Sequence, residues 1–469
     1  MLESILDLAS KIEDILWGPW TLVFIAFVAV FFSMKSGFFQ IRKFRFILKN
    51  TFGKIFEKTE ADEKGKMTPF QATTTALAST VGMGNMAGVA TALSIGGPGA
   101  IFWMWLLALL GMMTKTAEIT LAVHYRDIDE KGRLHGGPMY YINKALGWKF
   151  LAKLFSIGVL INAVLSASLL QAHTVGRAFL TSYNINPYMV TGAMAIITGF
   201  VVIGGIRRIG QFCGKLVPLM SVVYIFGGLT ILILNREKIP EVFGMIFKYA
   251  FATAPATGGF AGAAVAVAIK EGMAKGMLSN EAGLGTAPMA HATANTKHPF
   301  QQGLWGAFEV FIDTIVICTI TSFAVLSTGV LSNGRSGIEL VIQAFSSVLP
   351  TGLSSALISF SILTFCLSTQ IGFFIYFETA VLNVFSKKAM KYLKWFYLIP
   401  GMIFAGIADV DKLWVFATIS VGVCSLPNLV AVLALSGVFF KLMNDYLSAR
   451  NKYATKLIDA SKKYVKTAK

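Results

Sequence analysis

Charge is scarce in this chain. Lysine, arginine, aspartate and glutamate make up 14% of its 469 residues against 55% apolar residues, too little polar surface to solvate a globular protein of this length. Cysteine is scarcer: Cys213, Cys318, Cys366 and Cys424 lie far apart with no C-x-x-C pair, so neither a disulfide framework nor a zinc site is indicated. They read as small hydrophobes in helices. There is no H-E-x-x-H, no G-x-S-x-G and no paired catalytic aspartate motif, and His124, His135, His291 and His298 map near cytoplasmic ends of apolar runs without ligand spacing. An intramembrane enzyme is therefore disfavoured.

Long apolar runs take the place of charge. A mean hydropathy of +0.66 points to an all-α polytopic membrane protein. Taking about 20 apolar residues per crossing, the runs predict eleven transmembrane helices at 17–35, 70–94, 98–124, 150–180, 188–206, 212–235, 258–281, 303–329, 351–385, 392–408 and 412–442. The first, Trp17 to Met34, lacks a basic leader and a small-residue cleavage site and follows Glu3, Glu13 and Asp14, so it reads as a retained span.

The net charge of +17 is not spread as a nucleic-acid binder would spread it. It is clustered in alternate loops, as the positive-inside rule predicts. Lys35, Arg42, Lys43, Arg45, Lys49, Lys54 and Lys58 follow the first span, which sets that loop in the cytoplasm and the N-terminus outside. Arg126, Lys131, Arg133 and Lys144 then fall inside, as do Arg207, Arg208 and Lys215, Lys275 and Lys297, Lys387, Lys388, Lys391 and Lys394, and the lysines after Lys441. The opposite loops, Gly96-Gly97-Pro98-Gly99 and Asn184-Ile185-Asn186-Pro187, carry no charge. Glu237 to Tyr249 and Gly337 to Leu349 are amphipathic and too short to cross, so they lie on the outer surface or cap a vestibule. The tail from Leu442 to Lys469 reads as a basic amphipathic helix drawn to anionic headgroups of the lipid bilayer.

One span is built to break. Thr80-Val81-Gly82-Met83-Gly84-Asn85 places two glycines around one residue, and each weakens helix by about 1 kcal/mol relative to alanine. Unwound backbone at membrane depth is tolerated only against protein or a watery cavity, so its freed amides and carbonyls are candidates to hold something small and polar. A channel would want a continuous ring of pore-lining residues instead. Close helix packing through the glycines is the competing reading.

The run Ala76 to Ala90, Ala-Leu-Ala-Ser-Thr-Val-Gly-Met-Gly-Asn-Met-Ala-Gly-Val-Ala, followed by Gly97-Pro98-Gly99-Ala100-Ile101-Phe102-Trp103-Met104-Trp105, resembles the entry motif of the alanine or glycine:cation symporter family. Ser279-Asn280-Glu281-Ala282-Gly283-Leu284-Gly285-Thr286-Ala287-Pro288 resembles that family's second hallmark, and Phe365-Cys366-Leu367-Ser368-Thr369 is similar to its ninth-span Ser-Thr pair. The likeness runs from about residue 15 to 445. It implies a LeuT-like fold, one added N-terminal span plus two inverted five-span repeats. The chain then divides into 1–66 (outer segment, extra span and basic loop), 67–250 (first repeat), 251–445 (second repeat) and 446–469 (cytoplasmic tail). The implied function is sodium-coupled import of alanine or glycine, with proton coupling as the alternative and no obligate protein partner.

The resemblance also implies a site. Amides at Gly82, Met83, Gly84 and Asn85 would meet a substrate carboxylate, with Asn85 either bonding it or stapling the unwound backbone. Met83 departs from the small or hydroxylic residue expected there and would narrow the pocket. Co-transported sodium would sit among the carbonyls of Ala78, Val81 and Phe365 and the hydroxyls of Ser368 and Thr369, with Thr364 as fallback. The competing reading of the hydroxyls is a bond to the carbonyl one turn back. By repeat symmetry the seventh span breaks at Lys270-Glu271-Gly272-Met273, with Gly272 and Met273 facing the substrate. Gln171 is expected to reach the substrate or bond between helices, and His173 to be packed and hydrogen-bonded. Asp313 and Glu378 would bind an ion or proton, gate, or pair between helices, and Asn280 and Glu281 would form inner-gate structure.

Overall fold

The computed structural model describes residues 2–55, 66–130, 132–251, 265–385, 387–403 and 411–448. Among these, helix dominates, and the sheet is a two-stranded ribbon pairing Asp127–Ile128 with Leu134–His135. Seven described helices are long and apolar enough to cross a bilayer: Asp7–Lys35, Gly99–His124, Lys149–Tyr183, Gly205–Leu234, Pro299–Thr328, Thr351–Val384 and Trp414–Ala434. A bent pair, Pro69–Thr80 with Gly84–Gly96, makes an eighth if counted as one crossing. The protein is multi-pass.

Most predicted runs fall on these helices, and 188–206 appears as the shorter apolar helix Pro187–Ile203. Two runs are drawn differently. The 392–408 run is a lysine-rich helix, Lys387–Phe396, followed by Ile399–Ile403. Lys388 and Lys394 favour an interfacial position for Lys387–Phe396, so a crossing in this run would enter the bilayer only after Phe396. Residues 404–408 lie outside the described set. The 412–442 run splits into Asp411–Ala434 and Ser436–Leu447, where Ser436-Gly437 supplies a weakly helical step. The start of the 258–281 run, Lys58, Lys131 and the tail from 449 onward also lie outside the described residues.

Burial separates a core from a lipid-facing shell. In the most apolar stretch of Thr351–Val384, 89% of residues are buried, against 33% in Gly205–Leu234 and in Asp7–Lys35. The outer helices point large apolar side chains away from the protein, among them Phe27, Ile196, Phe200, Phe226 and Ile233. Such a surface is stable only in lipid. Inside, Thr351–Val384 packs beside Gly205–Leu234 and the first half of the bent pair, and Gly99–His124 packs along Pro299–Val310 and Val265–Asn280.

The two amphipathic segments form helices, Ile239–Phe251 and Gly337–Ser346. The second turns Leu340, Val341, Ala344 and Phe345 inward, with the Phe345 ring 6.2 Å from that of Tyr224, as a cap would.

The bent pair is organised from its first residue. Thr68 and Gln71 form a reciprocal capping box, Thr68 Oγ1 accepting from Gln71 N at 3.0 Å and Gln71 Oε1 accepting from Thr68 N at 3.1 Å, with Pro69 in the first turn. The helix stops at Thr80, where Val81 turns extended at φ −76° and ψ 92°. The chain resumes in a wide π turn, Gly84–Gly88, and then Val89–Gly96, bent by 49° from the first half.

Candidate functional site

The break is held open by side chains from three helices. Gly82 N donates to Asn85 Oδ1 at 3.0 Å, and Met83 N donates to Gln171 Oε1 at 3.1 Å. Both are amides that helix unwinding has left without an internal acceptor. Asn85 is committed on every side: its Nδ2 donates to Asp313 Oδ1 at 2.6 Å and its carbonyl accepts from Thr321 Oγ1 at 2.7 Å. Of the two roles open to Asn85, stapling the backbone is the one this geometry displays. Gln171 is buried and bonds to the break itself, and Met83 Sδ takes a weak bond from Thr174 Oγ1 at 3.6 Å.

Four oxygens converge on the carbonyl end of the same break. Ser368 Oγ donates to Phe365 O at 2.8 Å and reaches Ala78 O at 3.2 Å; Thr369 Oγ1 lies 3.0 Å and 3.1 Å from the same two carbonyls. Both hydroxyls do return a bond to the carbonyl one turn back, yet both also cross to the broken helix. Each hydroxyl has one proton and faces two carbonyls, so the cluster holds more acceptor capacity than its donors fill. Neutral oxygens packed in this way suit a hard monovalent cation. Val81, fully buried, ends the helix three residues after Ala78. Close approach depends on Gly372, where a Cβ would lie 2.5 Å from Ser79 Oγ and 2.8 Å from Thr75 O.

Gly82, Met83, Gly84, Gln171 and Thr369 share a small cavity with Ser79, Thr80, Asn162, Ser166, Glu281 and Phe373. Its open space is only about 20 Å³, on the order of one water, so an amino acid enters only if the walls move apart. Wide π turns at Gly84–Gly88 and Ala163–Leu170 lie along this cavity, the kind of helix irregularity that gathers at functional sites.

The model of the sodium:alanine symporter family matches residues 2–460. The chain belongs to that family. It is 36% identical over 455 residues to the transporter YflA of Bacillus subtilis (strain 168), covering 96% of each chain. A transporter of Haemophilus influenzae is 37% identical over 449 residues, 95% of this chain and 96% of that one. The sodium/alanine symporter AgcS of Methanococcus maripaludis is 36% identical over 440 residues, 92% of this chain and 95% of its own. Family membership makes this a transporter of the membrane and not an enzyme.

The second break lies elsewhere than the family resemblance led us to expect. Val265–Asn280 is one continuous helix through Lys270-Glu271-Gly272-Met273. At Gly272 a Cβ would strike Ala100 O and come within 3.0 Å of Trp103 Cβ, so this glycine serves helix contact and not unwinding. Gly272 and Met273 stand outside the cavity. Lys270 pairs with Asp14 at 3.0 Å and Glu271 with Lys275 at 4.0 Å. Unwinding begins instead at Glu281, with φ 56°, and continues through Gly283 at φ 94° and Gly285 at φ 82°, before Ala287–His291. These residues belong to the second hallmark.

That break is held by charges that the sequence reading passed over. Lys115 Nζ donates to Asn280 O at 2.7 Å, placing a cation at the helix C-terminus. The same ammonium lies 3.1 Å from Glu309 Oε2, and Glu309 Oε1 lies 2.6 Å from His291 Nε2, all three side chains fully buried. Asn428 donates to Gly283 O at 2.9 Å and bonds Glu118 and Tyr141. Asn280 Oδ1 accepts from Ala282 N at 2.9 Å, and Glu281 lines the cavity. The available signal was the rule that ionisable residues inside a span are costly and therefore functional, which applies to Lys115 and Glu309.

Proposed function

We propose that the protein is a sodium-coupled symporter that imports small neutral amino acids, alanine or glycine, by alternating access. The observation that carries this reading is the pairing of opposite electrostatic ends at one break. Carbonyl and hydroxyl oxygens of Ala78, Phe365, Ser368 and Thr369 favour a cation, and the Val81 carbonyl would complete the set. Just beyond, the amides of Gly82 and Met83 favour an anion, here represented by the side-chain oxygens of Asn85 and Gln171. A zwitterion offers a carboxylate to the amides, displacing Gln171 Oε1 from Met83 N. Sodium beside it shares the broken helix, so each ligand strengthens the other. Small substrates are favoured because Met83, Phe373 and Leu284 crowd the cavity.

The scaffold we propose has eleven spans in a LeuT-like arrangement, with the N-terminus outside and the C-terminus in the cytoplasm. Its repeats, 67–250 and 251–445, would each open on a broken helix, which agrees with unwinding near Val81 and near Glu281. Labelled alanine uptake into cells that express the protein tests the reading. Uptake should saturate, require external sodium, and yield to unlabelled alanine or glycine but not to leucine or phenylalanine. Equal uptake when potassium replaces sodium would overturn sodium coupling, and a response to an imposed proton gradient would put protons in its place.

A further inference from the structure

Asp313 is a fully buried carboxylate on the π-helical stretch Phe311–Cys318, outside the cavity and outside the oxygen cluster. Its oxygens meet donors from two different helices. Oδ1 accepts from Asn85 Nδ2 at 2.6 Å, and Oδ2 accepts from Ser279 Oγ at 2.8 Å and from Thr314 Oγ1 at 2.9 Å. Asn85 directly caps Gly82 N in the first break, and Ser279 sits in the last turn before the second. Cys318 Sγ lies 3.4 Å from both Asn85 Nδ2 and Ser279 Oγ, closing the same junction. Gly84 lets the two backbones meet there, since its Cβ would lie 3.3 Å from Ser279 Cα.

We propose that Asp313 is a positioning residue that fastens the two unwound segments to each other, so that the amides at Gly82 and Met83 are set for substrate only while Ser279 is also held. This inference rests on the proposed alanine site. The carboxylate is surrounded by donors, and its surroundings therefore favour a hydrogen-bonding clamp over a cation ligand. An unwound helix has two arrangements of its free groups, and an acceptor shared by two breaks makes them shift together.

The clamp makes the identity of the acceptor matter more than its charge. In Asp313→Asn the amide oxygen still accepts from Asn85 Nδ2, and the new NH₂ donates to the hydroxyl of Ser279 or Thr314, which can accept. In Asp313→Ala both links are lost. The test measures labelled alanine binding to purified full-length protein at saturating sodium, for the parent, Asp313→Ala, Asp313→Asn, Ser279→Ala and the Ser279→Ala/Asp313→Ala pair. Loss of one buried hydrogen bond to a charged group predicts an alanine Kd about tenfold weaker in Ser279→Ala, and Asp313→Ala, which loses both links, should be weakened at least as much. The pair should be no worse than Asp313→Ala alone, because the two act through one link. Asp313→Asn should recover to within about threefold of the parent.

Asp313→Ala with parental affinity would overturn the inference, as would additive losses in the pair. So would Asp313→Asn as weak as Asp313→Ala, since charge and not hydrogen bonding would then be required. If Asp313→Ala does not fold, Ser279→Ala and Asp313→Asn still decide. Failure of the parent to bind alanine with sodium would instead reject the proposed substrate site, a separable outcome.

Discussion

Adding one carbon at Gly82 perturbs both ligands at once. The Cβ of Gly82→Ala would overlap Thr369 Oγ1 and press within 3.2 Å of Gln171 Oε1 and 3.3 Å of its Nε2. Thr369 can yield only by leaving Ala78 O and Phe365 O, 3.1 Å and 3.0 Å away. The one hydroxyl proton shared between those carbonyls is worth about 1 kcal/mol and the overpacking about 1 kcal/mol more, together about 2 kcal/mol. That corresponds to alanine binding weakened about 30-fold or more. Because Thr369 belongs to the cation cluster, the sodium concentration needed for half-maximal binding should rise as well. Gly88→Ala is the matched control: its Cβ meets only Met83 O, at 4.0 Å. The assay is equilibrium binding of labelled alanine to purified protein across a sodium titration. Gly82→Ala binding within threefold of the parent, with an unchanged sodium midpoint, would refute the reasoning.

Ser368→Ala/Thr369→Ala removes two hydroxyl oxygens with little volume, so alanine binding should fail at low sodium and recover in part as sodium rises; an unmoved sodium titration in purified protein contradicts the cluster's assignment. Gly272→Ala should lower thermal stability, because its Cβ collides with Ala100 O, while leaving the alanine Kd of the folded fraction intact; a loss of affinity at full stability would return this glycine to the substrate site. Lys115→Met leaves Glu309 without its buried ammonium partner and should cost about 3–5 kcal/mol, read as a marked fall in the thermal midpoint, with Glu309→Gln added to it restoring part of the loss. An unchanged midpoint in Lys115→Met would show that the pair does not hold the second break.

The first break and its oxygen cluster were legible because local rules coincide there. Gly82 and Gly84 weaken one segment of an otherwise apolar run, and Ser368 with Thr369 are adjacent hydroxyls in a long span. The second break was misplaced because glycine marks both unwinding and close contact. Gly272 faces Ala100 and Trp103 and stays helical, while Gly283 and Gly285 adopt positive φ where Lys115 and Asn428 arrive from distant helices. No local signal separates these uses; partners brought by tertiary packing do. The same holds for Asn85, whose side chain is equally suited to a substrate carboxylate and to the backbone until Asp313 and Thr321 are seen to bind it. Charged helix Lys387–Phe396 is a different case, since Lys394 inside the 392–408 run is itself a local signal against lipid burial of its first turn.

Radioactive sodium flux in proteoliposomes tests the central claim most directly. With purified protein, no initial sodium gradient and the membrane potential clamped, an inward alanine gradient should drive sodium into the vesicles, and at alanine concentrations below the variant's Kd Gly82→Ala should lower the alanine-dependent part about 30-fold or more. Alanine entry with no sodium movement, or with protons moving in its place, would contradict the account.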